Sequence, residues 1–384
     1  MSLSPSSAHR RSLLVLAAVY LALSTGPLKA KTPVEVYLKN PDPWFAGDAA
    51  RQIATNILSY QSDRGGWPKN INTTAKPFSG DRRKDLQPTF DNSATTDELR
   101  FLARIYDATK TDLYRQAFEK GFDYILKAQY PNGGWPQRYP PPHTYERRIT
   151  FNDDAMVRLM EFLRETYSSD VYAFLDSTRK QAARAAFDRG VACILKCQIK
   201  VAGKLTVWCA QHDERDYTPR IGRSYELPSL SGEESVGIAR LLMSLDDPSP
   251  EVAEAIEGAV AWFESVKLTG IRVVREKDDK SPKGTNRVVL KDPAAPPLWA
   301  RFYEIGTNRP LYVDHDGVPK YNLADIGYER RNGYSWLGDR PQRLLQQDYP
   351  AWQKKWAGRL RHNRVRQHAG LESFPSPSRF IPPQ

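Results

Sequence analysis

The sequence predicts a mainly α-helical protein: an α/α toroid of three to four repeated helix pairs around a central groove, with few short strands. The first observation is a recurring phrase, "ILSYQSDRGGWPKN" from Ile57, "ILKAQYPNGGWPQR" from Ile125 and "ILKCQIKVAGKLTVWCAQ" from Ile194. Its glutamines, Gln61, Gln129 and Gln198, lie 68 and 69 positions apart. The second is that each phrase closes a segment with apolar residues at helical spacing, such as Phe118, Phe122, Ile125 and Leu126, and is followed by a loop and a second apolar helix. A helix pair repeated at this period cannot bury its apolar faces alone, so the pairs must stack or curl on one another. Closure into a toroid is the simplest solution, and an open solenoid is the competitor.

Taken in order, the chain begins with residues that do not belong to this core. His9, Arg10 and Arg11 precede the apolar run Leu13–Leu23, and small residues follow up to Ala30. This reads as a secretory signal peptide over residues 1–30, with an uncleaved anchor as the alternative. No later stretch is long and apolar enough to cross a membrane. The mature protein is therefore expected to be an exported, soluble monomer, periplasmic or secreted.

Residues 31–358 form the expected catalytic domain. Its second helices are predicted at Ala94–Thr109, Asp154–Tyr167, Ser235–Leu245 and Pro296–Gly306, the last belonging to a weaker fourth copy that begins at Ile256. Strand signals are confined to stretches such as Ile271–Val274 and Arg287–Leu290. Residues 359–384 are basic and then Pro/Ser-rich, and are expected to be disordered. Three cysteines exclude a disulfide framework, although one bridge is permitted; Cys193 and Cys197, four apart on a helix, fit buried thiols. Trp67, Trp135 and Trp208 hold matched positions after the first helices. A plug between helix layers is the favoured role, with a sugar platform as the other.

A net charge of +11, from 56 Lys+Arg against 45 Asp+Glu, points to a polyanionic partner. Export and the lack of a basic–aromatic motif argue against nucleic acid. Acids stand in register before the second helices: Asp91 and Asn92 in "FDNSAT", Asn152, Asp153 and Asp154 in "FNDDAM", Glu233 and Glu234 in "SGEESV". Any one of these could be an N-cap that stabilises its helix by about 1 kcal/mol. Three at one repeat position point to a shared site, and their hard oxygens favour calcium over zinc. Around the fourth copy lie Arg287, Arg301, Arg309 and His315, with Arg223 upstream. Arg301 reads either as a surface partner of Glu304 or, with the other arginines, as one wall of a groove for a polyuronate, whose carboxylates guanidinium forks bind in pairs.

From about Pro43 to Trp352 the chain resembles the family 10 polysaccharide lyases, which are pectate lyases. The pieces that carry the resemblance are "GGWPKN", "FDNSATTDE", "TFNDDAM", "LTVWCAQHD", "RSYELPSLSGEESVG", "LWARFYEIGTNRP" and "ERRNGYSW". It implies an α/α toroid-type fold and calcium-dependent anti-β-elimination of polygalacturonate, the de-esterified form of pectin. It places Asp91 and Asp153, with Asp154 beside them, on the calcium side of the scissile uronate, and Asn92 and Asn152 as close support. Arg223 and Arg301 match substrate-carboxylate arginines. The family's catalytic arginine falls at His315, in "VDHDG", so Asp91, Arg301 and His315 make up the implied catalytic set. A neutral histidine, with an intrinsic pKa of about 6.5, is a competent base near neutral pH but cannot grip a carboxylate as arginine does. A histidine-based lyase is favoured. A weakened enzyme, a calcium-dependent pectin-binding protein without chemistry, and an alignment in which Arg309 is the base stay open. A hydrolase using Asp91 and Asp153 as acid and base is a further alternative.

Overall fold

The computed structural model describes residues 33–80 and 86–356, so the expected signal peptide and C-terminal tail lie outside the described residues. A short α1 (Pro33–Tyr37) leads into four first helices: α2 (Asp48–Ser59), α4 (Asp112–Ala128), α6 (Ser177–Cys197) and α8 (Pro250–Ser265). Three second helices alternate with them: α3 (Thr96–Thr109), α5 (Ala155–Ser168) and α7 (Glu234–Met243). The inner row runs α3–α5–α7 and the outer row α4–α6–α8, each helix packing on its neighbours within and across the rows. This is the α/α toroid arrangement. Among the described residues, none of the helices is long and apolar enough to cross a membrane.

Local chemistry sets the helix ends. The Thr95 hydroxyl and Glu98 carboxylate close a reciprocal capping box at α3. Asp176 accepts the Arg179 amide at 2.8 Å to start α6, and Ser249, followed by Pro250, starts α8.

The repeat is stitched by three parts. Each tryptophan is fully buried and donates its indole N–H to its own first helix: Trp67 to the Ile57 carbonyl, Trp135 to Ile125 and Trp208 to Ile194. The expected plug role is what the structure shows. Each glutamine amide reaches the first helix of the next copy, Gln61 to the Ala117 carbonyl, Gln129 to Ala186 and Gln198 to Ala255, all at 2.8 Å. A glycine admits the preceding tryptophan: a methyl on Gly121 would stand 3.0 Å from the Trp67 ring, and one on Gly190 3.2 Å from Trp135.

The fourth second helix is a correction. Pro296–Gly306 is not helical; Trp299–Ala300 and Phe302–Tyr303 are short strands, paired with Leu337–Gly338 and Leu230–Ser231. The apolar spacing of "LWARFYEI" suits a helix, yet Trp299 donates its indole N–H to the Phe263 carbonyl. Phe263 follows Ile194 by the same interval that separates Ile194 from Ile125. Trp299 is thus the tryptophan of the fourth copy, and the stretch is that copy's post-helix loop. The two expected strand signals do form one hairpin, Ile271–Lys277 with Thr285–Lys291. All three cysteines are free and buried.

One continuous core spans the helices. A second, smaller core of Tyr225, Phe302, Leu311, Tyr312, Val313, Trp336 and neighbours underlies the extended C-terminal third.

Candidate active site

Two tight turns, Asp91–Ser93 and Asn152–Asp154, precede α3 and α5. Buried Phe90 and Phe151 anchor them, and each then passes through two consecutive left-handed residues: Asn92 (φ 53°) and Ser93 (φ 63°), Asp153 (φ 51°) and Asp154 (φ 62°). Asn and Asp tolerate this region better than other side chains. The backbone therefore aligns Asp91 with Asn152 and Asn92 with Asp153. The turns pack on one another, and the second packs on α7, so the three acid-bearing caps do converge.

Asp91 is buried. One of its oxygens takes Lys69 and, at 2.6 Å, the Gln137 amide; Oδ1 is buried without a hydrogen-bond partner. Asn92 is exposed beside it. Asp153 is partly exposed, with Oδ2 accepting from the Asn152 amide at 2.8 Å and Oδ1 facing Arg301 at 3.3 Å. Asp154 turns inward to Arg340 at 2.7 Å, and the same guanidinium holds Glu233 at 3.1 Å.

Arg301 lies between the two short strands rather than on a helix, and does not meet Glu304, whose carboxylate takes the Thr307 and Tyr321 hydroxyls. Its Nη2 faces Glu234, Asp153 and Asn152, while its Nε is buried without a partner. Burial is the largest influence and opposes its charge, but Glu234, Tyr334, Asp153 and Glu233 together outweigh it and hold the guanidinium well above its ordinary pKa. Glu234, fully buried, is pushed up by burial and pulled back by Arg301.

Opposite the acids stands an arginine–tyrosine cluster. The Tyr334 ring carries Arg301 at 4.7 Å, Arg330 at 5.9 Å and Arg223 at 6.0 Å, and its hydroxyl donates to Glu226 at 2.9 Å. Burial raises the Tyr334 pKa, so the phenol keeps its proton at neutral pH. Tyr225 carries Arg330 at 4.4 Å and Arg223 at 5.2 Å, and meets the His315 ring edge-on at 5.6 Å. His315 is at the rim, its side chain 62% exposed, with Nε2 2.9 Å from Glu329. Hydrogen bonds from Arg330 and then His315 push Glu329 down to about 2. A carboxylate that stays ionised can only accept, so His315 donates its Nε2–H in this contact. Arg309 lies over Tyr321 at 3.4 Å and does not contact the Tyr225–Tyr334 cluster.

The structure thus gathers Asp91, Asn152, Asp153 and Arg301 on one side and Arg223 and His315 on the other, with Arg301 bridging them through Tyr334. Sequence reasoning missed Lys69, Gln137, Tyr225, Arg330, Tyr334 and Arg340. The signal for two of these was present in "ERRNGYSW", where Arg330 and Tyr334 stand together. His212, in the motif "AQHD", is a scaffold residue. Its Nε2 accepts the Cys209 amide, its Nδ1 faces the Tyr217 carbonyl, and burial lowers its pKa to about 4.

The sequence pattern of the family described as pectic acid lyase matches residues 61–345. The chain belongs to that family. Among solved structures it is similar to the family 10 polysaccharide lyase from Cellvibrio cellulosa, at 33% identity and a TM-score of 0.70, over 82% of this chain and 95% of that one. An aspartate-to-alanine mutant of the Cellvibrio lyase in complex with trigalacturonic acid matches at 32% identity and a TM-score of 0.69, over 83% of this chain and 97% of that one. No curated protein sequence gives a significant match. The resemblance read from the motifs is therefore correct at the level of family and fold, and a pectic acid lyase-type polysaccharide lyase is the class to which this chain belongs.

Proposed function

We propose that the protein is an exported pectate lyase that cleaves polygalacturonate by calcium-dependent anti-β-elimination, with His315 as the base. The supporting observation is the pairing of an acidic wall, Asp91 and Asp153, with guanidinium groups arrayed on Tyr334 and Tyr225 beside His315.

The donor set suits calcium. Asp91 Oδ1 is a buried hard oxygen without a hydrogen-bond partner, a state that costs about 1–3 kcal/mol unless the atom is engaged. Asp153 presents a second carboxylate from the neighbouring turn. Among the described residues no group of three or more His, Cys, Asp or Glu side chains could by itself hold a metal ion, so uronate oxygens would complete the coordination. When bound there, calcium would neutralise the uronate carboxylate and so acidify the proton on the adjacent C5.

The protein's own groups do the rest. Arg223, Arg301 and Arg330 bind and orient uronate carboxylates, and Arg301 Nε offers a donor already stripped of water. His315 Nδ1 takes the C5 proton, the C5–H electrons become the C4–C5 double bond, and the C4–O bond breaks to release the leaving chain. Glu329 holds Nε2–H during this step and stabilises the imidazolium that forms, as carboxylates do in catalytic triads. Residues 1–30 would deliver the enzyme to its polymer, which N-terminal sequencing of the exported protein would check.

The test is ultraviolet absorbance of polygalacturonate incubated with the protein, with calcium and with chelator, for wild type and His315→Ala. A calcium-dependent rise abolished by the substitution supports the proposal in full. Binding of oligogalacturonate without any rise overturns the catalytic part and leaves a pectin-binding protein, in which His315→Arg should then restore cleavage. Neither binding nor a rise overturns the substrate as well.

A further inference from the structure

In the hairpin Ile271–Lys277/Thr285–Lys291, Arg275 and Arg287 stand directly opposite each other across the strands. Like charges in that position are destabilising. Neither guanidinium has an ion-pair partner among the described residues, whereas Arg100, Arg148, Arg301 and Arg340 each face a carboxylate. The two instead touch backbone carbonyls of the active-site segment, Arg275 that of Asn332 at 3.2 Å and Arg287 that of Tyr334. Burial and then Arg275 push the Arg287 pKa down, as expected where two cations meet without an anion. The hairpin is held in register on that segment: the Arg287 amide donates to Asn332 at 2.8 Å and the Tyr328 hydroxyl to the Thr285 carbonyl at 2.8 Å.

The pair therefore adjoins Tyr334, whose ring already carries Arg301, Arg223 and Arg330. We infer that Arg275 and Arg287 form an accessory anion site that takes a further carboxylate of the same polyuronate chain, beyond the sugars at the arginine–tyrosine cluster. The inference rests on the proposed substrate class. It gives the two cations side by side on the hairpin a common partner: a chain carboxylate between them would relieve the repulsion and gain two charge-assisted hydrogen bonds.

The experiment compares Arg275→Gln and Arg287→Gln with wild type in calorimetric binding and in cleavage of trigalacturonate and of longer oligogalacturonates. The expected result is a roughly fivefold loss of affinity and rise in KM for the longer ligands. Trigalacturonate binding, kcat and thermal stability of Arg275→Gln should be unchanged, and the salt dependence of long-ligand binding should flatten. Equal losses for short and long ligands, or no loss for either, in a protein that otherwise binds oligogalacturonate would overturn the accessory site. A wild-type protein that binds no oligogalacturonate would overturn the functional proposal itself and this inference with it.

Discussion

Replacing Arg301 by alanine removes the cation from a nearly closed cage. Its side chain is 8% exposed and that of Glu234 is 0%, with Asp153 at 3.3 Å and Asn152 at 3.4 Å from the same nitrogen. Removing one partner of a buried ion pair leaves the other charge uncompensated, at a cost of about 3–5 kcal/mol. The sign of the pH dependence follows from Glu234. Its folded pKa already lies above the ordinary carboxylate value, because burial outweighs the lowering from Arg301. Without Arg301 it rises further. A group with a raised folded pKa contributes stability fully below its unfolded pKa and loses it as pH rises through the folded value. The Arg301→Ala deficit should therefore be largest at neutral pH and shrink towards pH 4. Urea unfolding followed by tryptophan fluorescence at pH 7 and pH 5 measures this directly. Adding Glu234→Gln removes the orphaned charge and should return more than half of the lost stability, while the proposed grip of Arg301 on a uronate carboxylate, and lyase activity with it, stays absent. An Arg301→Ala protein within 1 kcal/mol of wild type at pH 7, or a double variant no more stable than the single one, would refute the cage.

Gln198→Leu strands the Thr206 and Ala255 carbonyls, which the amide now serves at 2.8 Å each, and should cost about 2–4 kcal/mol in urea unfolding with kcat preserved in the folded protein. His212, whose folded pKa is lowered to about 4, stays neutral while the unfolded chain takes up a proton. It should thus withdraw about 3 kcal/mol of stability as pH falls from 6.5 to 4, a loss seen in urea midpoints across that range and absent in His212→Asn. Gly121→Ala drives a methyl to 2.7 Å from Leu99 and 3.0 Å from the Trp67 ring, which is locked in place, and should destabilise by about 1–3 kcal/mol in thermal melts. Gly190→Ala meets chiefly the flexible end of Met160, at 2.9 Å, and should cost less.

The repeat was legible because Gln61, Gln129 and Gln198, with the tryptophans, recur in the primary sequence, and their roles are equally repetitive. The second helices were legible because α3, α5 and α7 present an apolar stripe behind a polar cap. The fourth copy was misread because apolar periodicity cannot distinguish a two-strand crossing from a short helix; the position of Trp299 relative to Phe263 carries the missing information. At the site, Asp91 and Asp153 stood out as acids in register before the second helices, Arg301 as one of the arginines around the fourth copy, and His315 through the family resemblance. Tyr334 and Tyr225 did not, since an aromatic residue that serves as a bed for guanidinium groups looks in sequence like any core residue. Glu234 and Arg301 lie 67 positions apart, so their union depends on a fold-level closure that sequence spacing does not report.

The paired left-handed residues of the two acidic turns set function against robustness. Each such residue other than glycine costs on the order of 1 kcal/mol or more, and glycine would adopt the same backbone freely. Asn92 and Asp153 are therefore where a lineage selected for heat tolerance alone would drift to glycine. Glycine at both positions should yield a sturdier protein with a silent groove.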